Sequence, residues 1–355
     1  MKKQIVIASI IVGIFFLSLS FVLTNSEIRY EILQDVGIKS TPKIVGDSYS
    51  IKPLATGIPH PYHITILDND IFFNERFSGN LYLIKNGEFQ SEPIINVSLD
   101  NERTKIHGIG SFGSSIFVHI TETSYEEGLY ENNRILEYMW NGKKLNLVQE
   151  IKPQILFTDM HHSGGIIVDD NRNVFSTYPE PIESTLLDYY AYGVHGFTFD
   201  SQTDNIWHTT EVDKNLNWKE IVSDADYYPD EYEKLHVVSI EDMVNHKSWE
   251  VPYYPNSLVI PDTNFSKKFQ NSIFVGFCKG EEANKGGIYE YPLDSQRTDF
   301  LIPNAEFNFL GINHEKYLVV KNLNCVSDME VGSDGVIYVS DYVSNGAIYK
   351  IVPKS

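Results

Sequence analysis

Apolar and polar positions in this chain alternate in short bursts of strand length, each bounded by turn residues. The clearest burst is GSDGVIYVSDYVSNGAIYKIVP, residues 332–353. Gly332 to Gly335 predicts a turn, because glycine reaches positive φ and Asp334 can bond its own backbone. Residues 336–341 form a β-branched and aromatic run, 344–346 a second turn, and 347–352 a second strand. Apolar residues occupy both faces of this hairpin, so it has to be covered on both sides.

The same grammar recurs at 68–88, 112–145, 169–181, 200–212 and 269–294. With the C-terminal copy that makes six, at a spacing of about fifty residues, the period of propeller blades. A two-sheet sandwich would also contain similar hairpins. Hairpins apolar on both faces favour units that stack around an axis. The pattern predicts an all-β fold, a six-bladed β-propeller with four-stranded antiparallel blades over 49–355. An open ring would expose sheet edges, so residues near 49–56 are expected to pair with the C-terminal blade. One departure from strand patterning, near 231–246, reads as a short helix.

Ahead of the repeats, Lys2 and Lys3 precede an uncharged apolar run at 5–23. It is long enough to span a bilayer, and no Ala-x-Ala cleavage pattern follows. Residues 1–23 therefore read as an anchoring transmembrane helix and 24–48 as a polar tether. The lysines place the propeller outside the cytoplasm; the alternative is a protein secreted after cleavage of a signal peptide. The sequons at Asn96 and Asn264 are compatible with export.

Charge narrows the partners. A formal net charge of −20 repels polyanions and argues against nucleic acid. Most of that charge reads as a solvated surface, though some carboxylates could ligate Ca²⁺. Cys278 and Cys325 are the two cysteines; they form neither a CxxC nor a zinc pattern, and they could pair in an oxidising compartment. His60 and His63 are three apart, which in an extended chain puts them on opposite faces. They read as ordinary blade histidines rather than as a metal site.

Several stretches together resemble the glucose/sorbosone dehydrogenase family, the quinoprotein sugar dehydrogenases that use PQQ. Residues 55–88 look like its opening, with Tyr62 where a Trp usually stands and Asn74-Glu75-Arg76 continuing the match. Lys105 to Gly108 and Asn132 to Ile135 resemble its next signposts. His161, before a Gly-containing turn and an apolar strand, matches the position of the catalytic base. An imidazole near pKa 6.5 can take a proton from a sugar C1 hydroxyl at neutral pH. Lys279 stands where a cofactor-binding lysine is expected, and His195 lies in the segment where the family carries an Arg-Asn pair. Ser327 replaces a second quinone-contacting arginine, and the family's Gly-rich calcium loop after Glu211 is missing.

The resemblance implies oxidation of a sugar with PQQ and an external electron acceptor, with Ca²⁺ as a further ligand. Without the two arginines, the three PQQ carboxylates would be costly to bury. The alternatives are a cofactor-free propeller serving as a binding or interaction module, and a Ca²⁺-dependent hydrolase of the lactonase kind.

Overall fold

A computed structural model describes residues 42–354 apart from 77, 99–103, 124–129, 153, 159–164, 179–195, 211–232, 240–245, 252–254, 262–264, 267–268, 279–285, 303–313 and 343–345. These residues make six sheets, taken here as I to VI in chain order. The apolar run 5–23 lies outside them. Among the described residues no helix is long and apolar enough to cross a membrane.

Sheet I is an antiparallel meander of Pro61–Leu67, Asp70–Glu75, Asn80–Lys85 and Glu88–Asn96. Sheet II repeats it with Thr104–Phe112, Ser115–Thr123, Tyr130–Trp140 and Leu145–Ile151. In sheet III, Ile166–Val168 pairs antiparallel with Val174–Tyr178, which also carries Gln154–Thr158 in parallel. Sheet IV holds Phe197–Asp200, Asn205–Thr210, Glu233–Ser239 and His246–Val251. Sheet V holds Pro255–Val259, Ser272–Phe277, Gly287–Pro292 and Leu318–Lys321, with Lys43–Ile44 added at its edge.

Sheet VI is built from both ends of the described chain. Val326–Val331, Ile337–Asp341 and Gly346–Pro353 are completed by Tyr49–Ile58, in register from Tyr49 opposite Pro353 to Ile58 opposite Gly346. This is the closure that the exposed edge demanded. Each of the six repeats falls in a sheet of its own.

One expectation is overturned. The described part of the stretch near 231–246 is the strand Glu233–Ser239, paired to Asn205–Thr210 and to His246–Val251, rather than a helix. Val237 and Val238 are β-branched, and the cross-strand ladder outweighs a weak helical period.

The core lies between sheets rather than in one central mass. Phe72, Phe117, Phe274 and Trp207 are fully buried, each on a middle strand covered from both sides. The seams between sheets also carry specific contacts. Asn74 Nδ2 donates to the Ile106 carbonyl across I and II at 3.1 Å. Arg172 pairs with the buried Glu137 across II and III. Arg297 pairs with Asp200 at 3.0 Å across V and IV, both nearly inaccessible. A disulfide joins Cys278 to Cys325 across V and VI.

The N-terminal strand of sheet VI is held to sheet V as well. Tyr49 Oη donates to Glu290 Oε2 at 2.7 Å, and Ser272 Oγ donates to the other carboxylate oxygen at 2.9 Å. Tyr49→Phe should destabilise the protein by about 1.5–3 kcal/mol, the worth of a hydrogen bond to a charged partner, read as a lowered midpoint in urea. Reduction of the disulfide, which closes a 47-residue separation, should cost about 4 kcal/mol. An unchanged midpoint in dithiothreitol would show that the bond adds nothing to the seam.

Candidate functional site

One strand of each sheet contributes residues to a single cavity of about 240 Å³. Contributions come from Pro61–Leu67, Thr104–Phe112, Ile166–Val168, Phe197–Asp200, Pro255–Val259 and Val326–Val331. Small residues let these strands approach. A Cβ on Gly165 would lie 2.1 Å from the Phe197 ring, and one on Gly110 2.9 Å from the Ile166 carbonyl.

Where sheets VI and I meet, the rim is aromatic and cationic. Tyr62 and Tyr342 stand edge to face at 5.6 Å, with His60 against Tyr342 at 5.4 Å. The Arg76 guanidinium lies over both tyrosine rings, 4.9 and 5.2 Å from their centroids. His60 reaches this position through a positive φ of 44°. Arg76 follows directly on the strand Asp70–Glu75, whose end pairs with Pro61, so the sheet I hairpin itself brings the guanidinium to the rim.

Ser327, the residue standing in the place of an arginine, is buried at the same seam. Its hydroxyl faces the carbonyls of Tyr62 and Pro61 at 3.0 and 3.2 Å, so it fastens sheet VI to sheet I and is not presented to a ligand. One residue on, Asp328 Oδ2 accepts from the Ile64 amide at 2.9 Å and stands 3.5 Å from His63 Nδ1. His63 and His60 do diverge, as their spacing implies: one enters the cavity and the other stacks at the rim.

Deeper between sheets II and III, His119 is fully buried. Its Nε2 meets Asn133 Oδ1 at 3.1 Å and its Nδ1 meets Ser176 Oγ at 3.3 Å. Burial pushes its pKa down to about 4; the Asn133 hydrogen bond works against that shift, and the nearby His63 adds to it. Between the ordinary value near 6.5 and this one, the unfolded chain binds a proton that the folded chain refuses. Acidification from pH 7 to 4.5 should therefore remove about 2–3 kcal/mol of stability. His119→Gln should flatten that part of the pH dependence; an unchanged acid profile would assign the loss to other groups.

His161, Lys279 and His195 lie outside the described residues. Their nearest described neighbours in the chain are Thr158, Cys278 and Gly196. The residues that the structure adds are Arg76, His63, Asp328 and Glu330. Arg76 appears in the sequence only as part of a motif match. The carboxylates had a legible signal, two acidic residues at alternate positions of one strand, each followed by an apolar residue.

The described residues do not fit PQQ. A tricarboxylate needs cationic partners, and the cavity lining contains no Lys or Arg while it contributes Asp328 and Glu330. Ser327 is committed to backbone carbonyls, which leaves Arg76 as the cation observed at the seam. Among the described residues no group of three or more His, Cys, Asp or Glu side chains could hold a metal ion.

The sequence matches no family profile and no curated protein. Solved structures do resemble the fold. A glucose dehydrogenase is 12% identical with a TM-score of 0.55, over 86% of this chain and 100% of that one. The soluble aldose sugar dehydrogenase of Escherichia coli is 11% identical with a TM-score of 0.52, over the same shares. A Trichoderma reesei protein of Carbohydrate-Active Enzymes Family AA12 is 9% identical with a TM-score of 0.55, over 88% of this chain and 98% of that one. At these identities the likeness is one of fold alone: the chain is a β-propeller.

Proposed function

We propose that this chain is a six-bladed propeller, anchored through residues 5–23 and exposed outside the cytoplasm, that takes a sugar at the rim between sheets VI and I. The observation that carries this reading is the Arg76 guanidinium stacked over Tyr62 and Tyr342 beside His60. Aromatic faces suit the C–H faces of a pyranose, and a guanidinium presents several donors to hydroxyl oxygens. The build shared with a glucose dehydrogenase and an aldose sugar dehydrogenase supports the same substrate class. Arg76→Ala should weaken monosaccharide binding at least about fivefold, near 1 kcal/mol, in a calorimetric titration of aldoses. Unaltered affinity would remove the rim from the reading.

A second reading, oxidation of the sugar at C1, is favoured by that shared build. In it His161 would accept the hydroxyl proton, and Lys279 and His195 would contact the cofactor, with electrons passing to an external acceptor. Two missing guanidinium contacts at about 1.5–3 kcal/mol each predict PQQ affinity lower by about a hundredfold or more than with both arginines in place. Titration with PQQ and Ca²⁺, followed by aldose oxidation with an artificial acceptor, tests this. Slow or absent turnover is expected, and any that occurs should vanish in His161→Ala. Tight binding with rapid turnover would mean that Lys279 and His195 replace the missing clamp. The hydrolase alternative needs oxygen ligands converging on a metal, a grouping not found among the described residues.

The topology is checked separately. Protease added to intact cells or spheroplasts should digest the propeller, whereas full protection with recovery in the cytosol would refute the placement.

A further inference from the structure

We propose that the central channel binds a small organic cation, a primary ammonium group on a short aliphatic body. This site lies inside the ring and does not depend on what occupies the rim. Its wall carries Asp328 and Glu330, two residues apart on one strand and so on one face. A third lining carboxylate, Asp200, is paired with Arg297, and among the described lining residues no Lys or Arg balances the first two.

The neighbouring acceptors are arranged for a donor. Asp328 spends Oδ2 on the Ile64 amide and on His63 Nδ1, and Oδ1 on the Met329 amide at 2.9 Å. With its Nδ1 side so engaged, His63, whose side chain is 7% exposed, keeps Nε2 without a hydrogen-bond partner. Ser257, contributed by sheet V and 1% exposed, likewise keeps Oγ unpartnered. Buried polar atoms left unpaired are costly, and here two of them line the same cavity as Asp328 and Glu330.

Among the described residues no group of three or more His, Cys, Asp or Glu side chains could hold a metal ion. An ammonium group takes one acceptor per N–H, from carboxylate, imidazole and hydroxyl alike. Ile166, which is partly exposed, supplies apolar wall for methylene groups.

Charge sets the pH dependence. Burial, and then the charge of Asp328, pushes the Glu330 carboxyl up to about 8. The other titratable groups lining the cavity are His63 from sheet I and Asp200 from sheet IV, the latter paired with Arg297 at 3.0 Å. Sheets II, III and V contribute none to the lining. Below pH 8 Glu330 keeps its proton until a cation replaces it. Binding therefore releases a proton, and affinity rises with pH up to the Glu330 value.

The test is calorimetric titration of the full-length chain in detergent with n-butylammonium, with n-butanol as the neutral analogue and CaCl₂ as the metal. The amine stays charged throughout the range used. Single-site binding is expected, with n-butanol at least tenfold weaker and the amine tightening about tenfold per pH unit between 6.5 and 8. Glu330→Gln should abolish that pH dependence, and His63→Phe should weaken binding about tenfold or more. The pH series on the unaltered protein stands even where a variant fails to fold. Equal affinity for n-butanol, no amine binding at millimolar concentration, a flat pH series, or displacement of the amine by tighter-binding Ca²⁺ would overturn the proposal.

Discussion

The pairing of Tyr49–Ile58 with Gly346–Pro353 is the constraint on which the remaining architecture rests. It joins segments about 300 residues apart and turns a row of sheets with two exposed edges into a closed arrangement. Sheet VI exists as a four-stranded unit only because the two ends of the fold meet. The two ends of the described chain thus meet in sheet VI, and the candidate site lies at the seam of that sheet with sheet I. Ser327, Asp328 and Tyr342 come from the C-terminal side, while Tyr62, His63 and Arg76 come from the N-terminal side. Whatever loosens the closing strand moves the two halves of the site apart.

The seams divide their work between packing and polar fastening. Aromatic side chains fill much of the space between middle strands. Nearer the axis the strands come too close for large residues, and the contacts become directional: Asn74 to the Ile106 carbonyl, Ser327 to the Tyr62 carbonyl, Asp328 to the Ile64 amide. Ion pairs add to these contacts, with Arg297–Asp200 buried on both partners. Breaking one member of such a pair strands a charge in low dielectric, so it fixes geometry even where its net contribution to stability is small.

Two chemically different environments result. The rim at VI and I has a guanidinium, two phenol rings and an imidazole. The channel has the carboxylates of Asp200, Asp328 and Glu330, an imidazole and hydroxyls, with no Lys or Arg among its described lining residues. The substitution of a serine for an arginine at 327 separates them. An arginine there would bring positive charge to the boundary, whereas the serine turns its hydroxyl to the backbone and leaves the channel acidic. The sugar proposal belongs to the first environment and the ammonium proposal to the second.

The sequence by itself determined the repeat, its strands and the need for closure. These follow from local rules: β-branched and aromatic runs of strand length, glycine turns such as the one in which the Gly335 amide returns to the Gly332 carbonyl, and apolar residues on both faces. It failed at 233–239, where two valines were outweighed by a weak helical pattern and the deciding hydrogen bonds come from a neighbouring strand. Only the tertiary structure decided which polar residues share a site. His63, Asp328, Ser257 and Arg76 are scattered over some 260 positions, and each alone reads as an ordinary strand residue. The same holds for the disulfide, since Cys278 and Cys325 become partners through adjacent sheets and carry no signal in their spacing. Local propensity is written in neighbouring residues, whereas a site on a closed ring depends on which strands face one another across the axis, and that register is set by the whole ring at once.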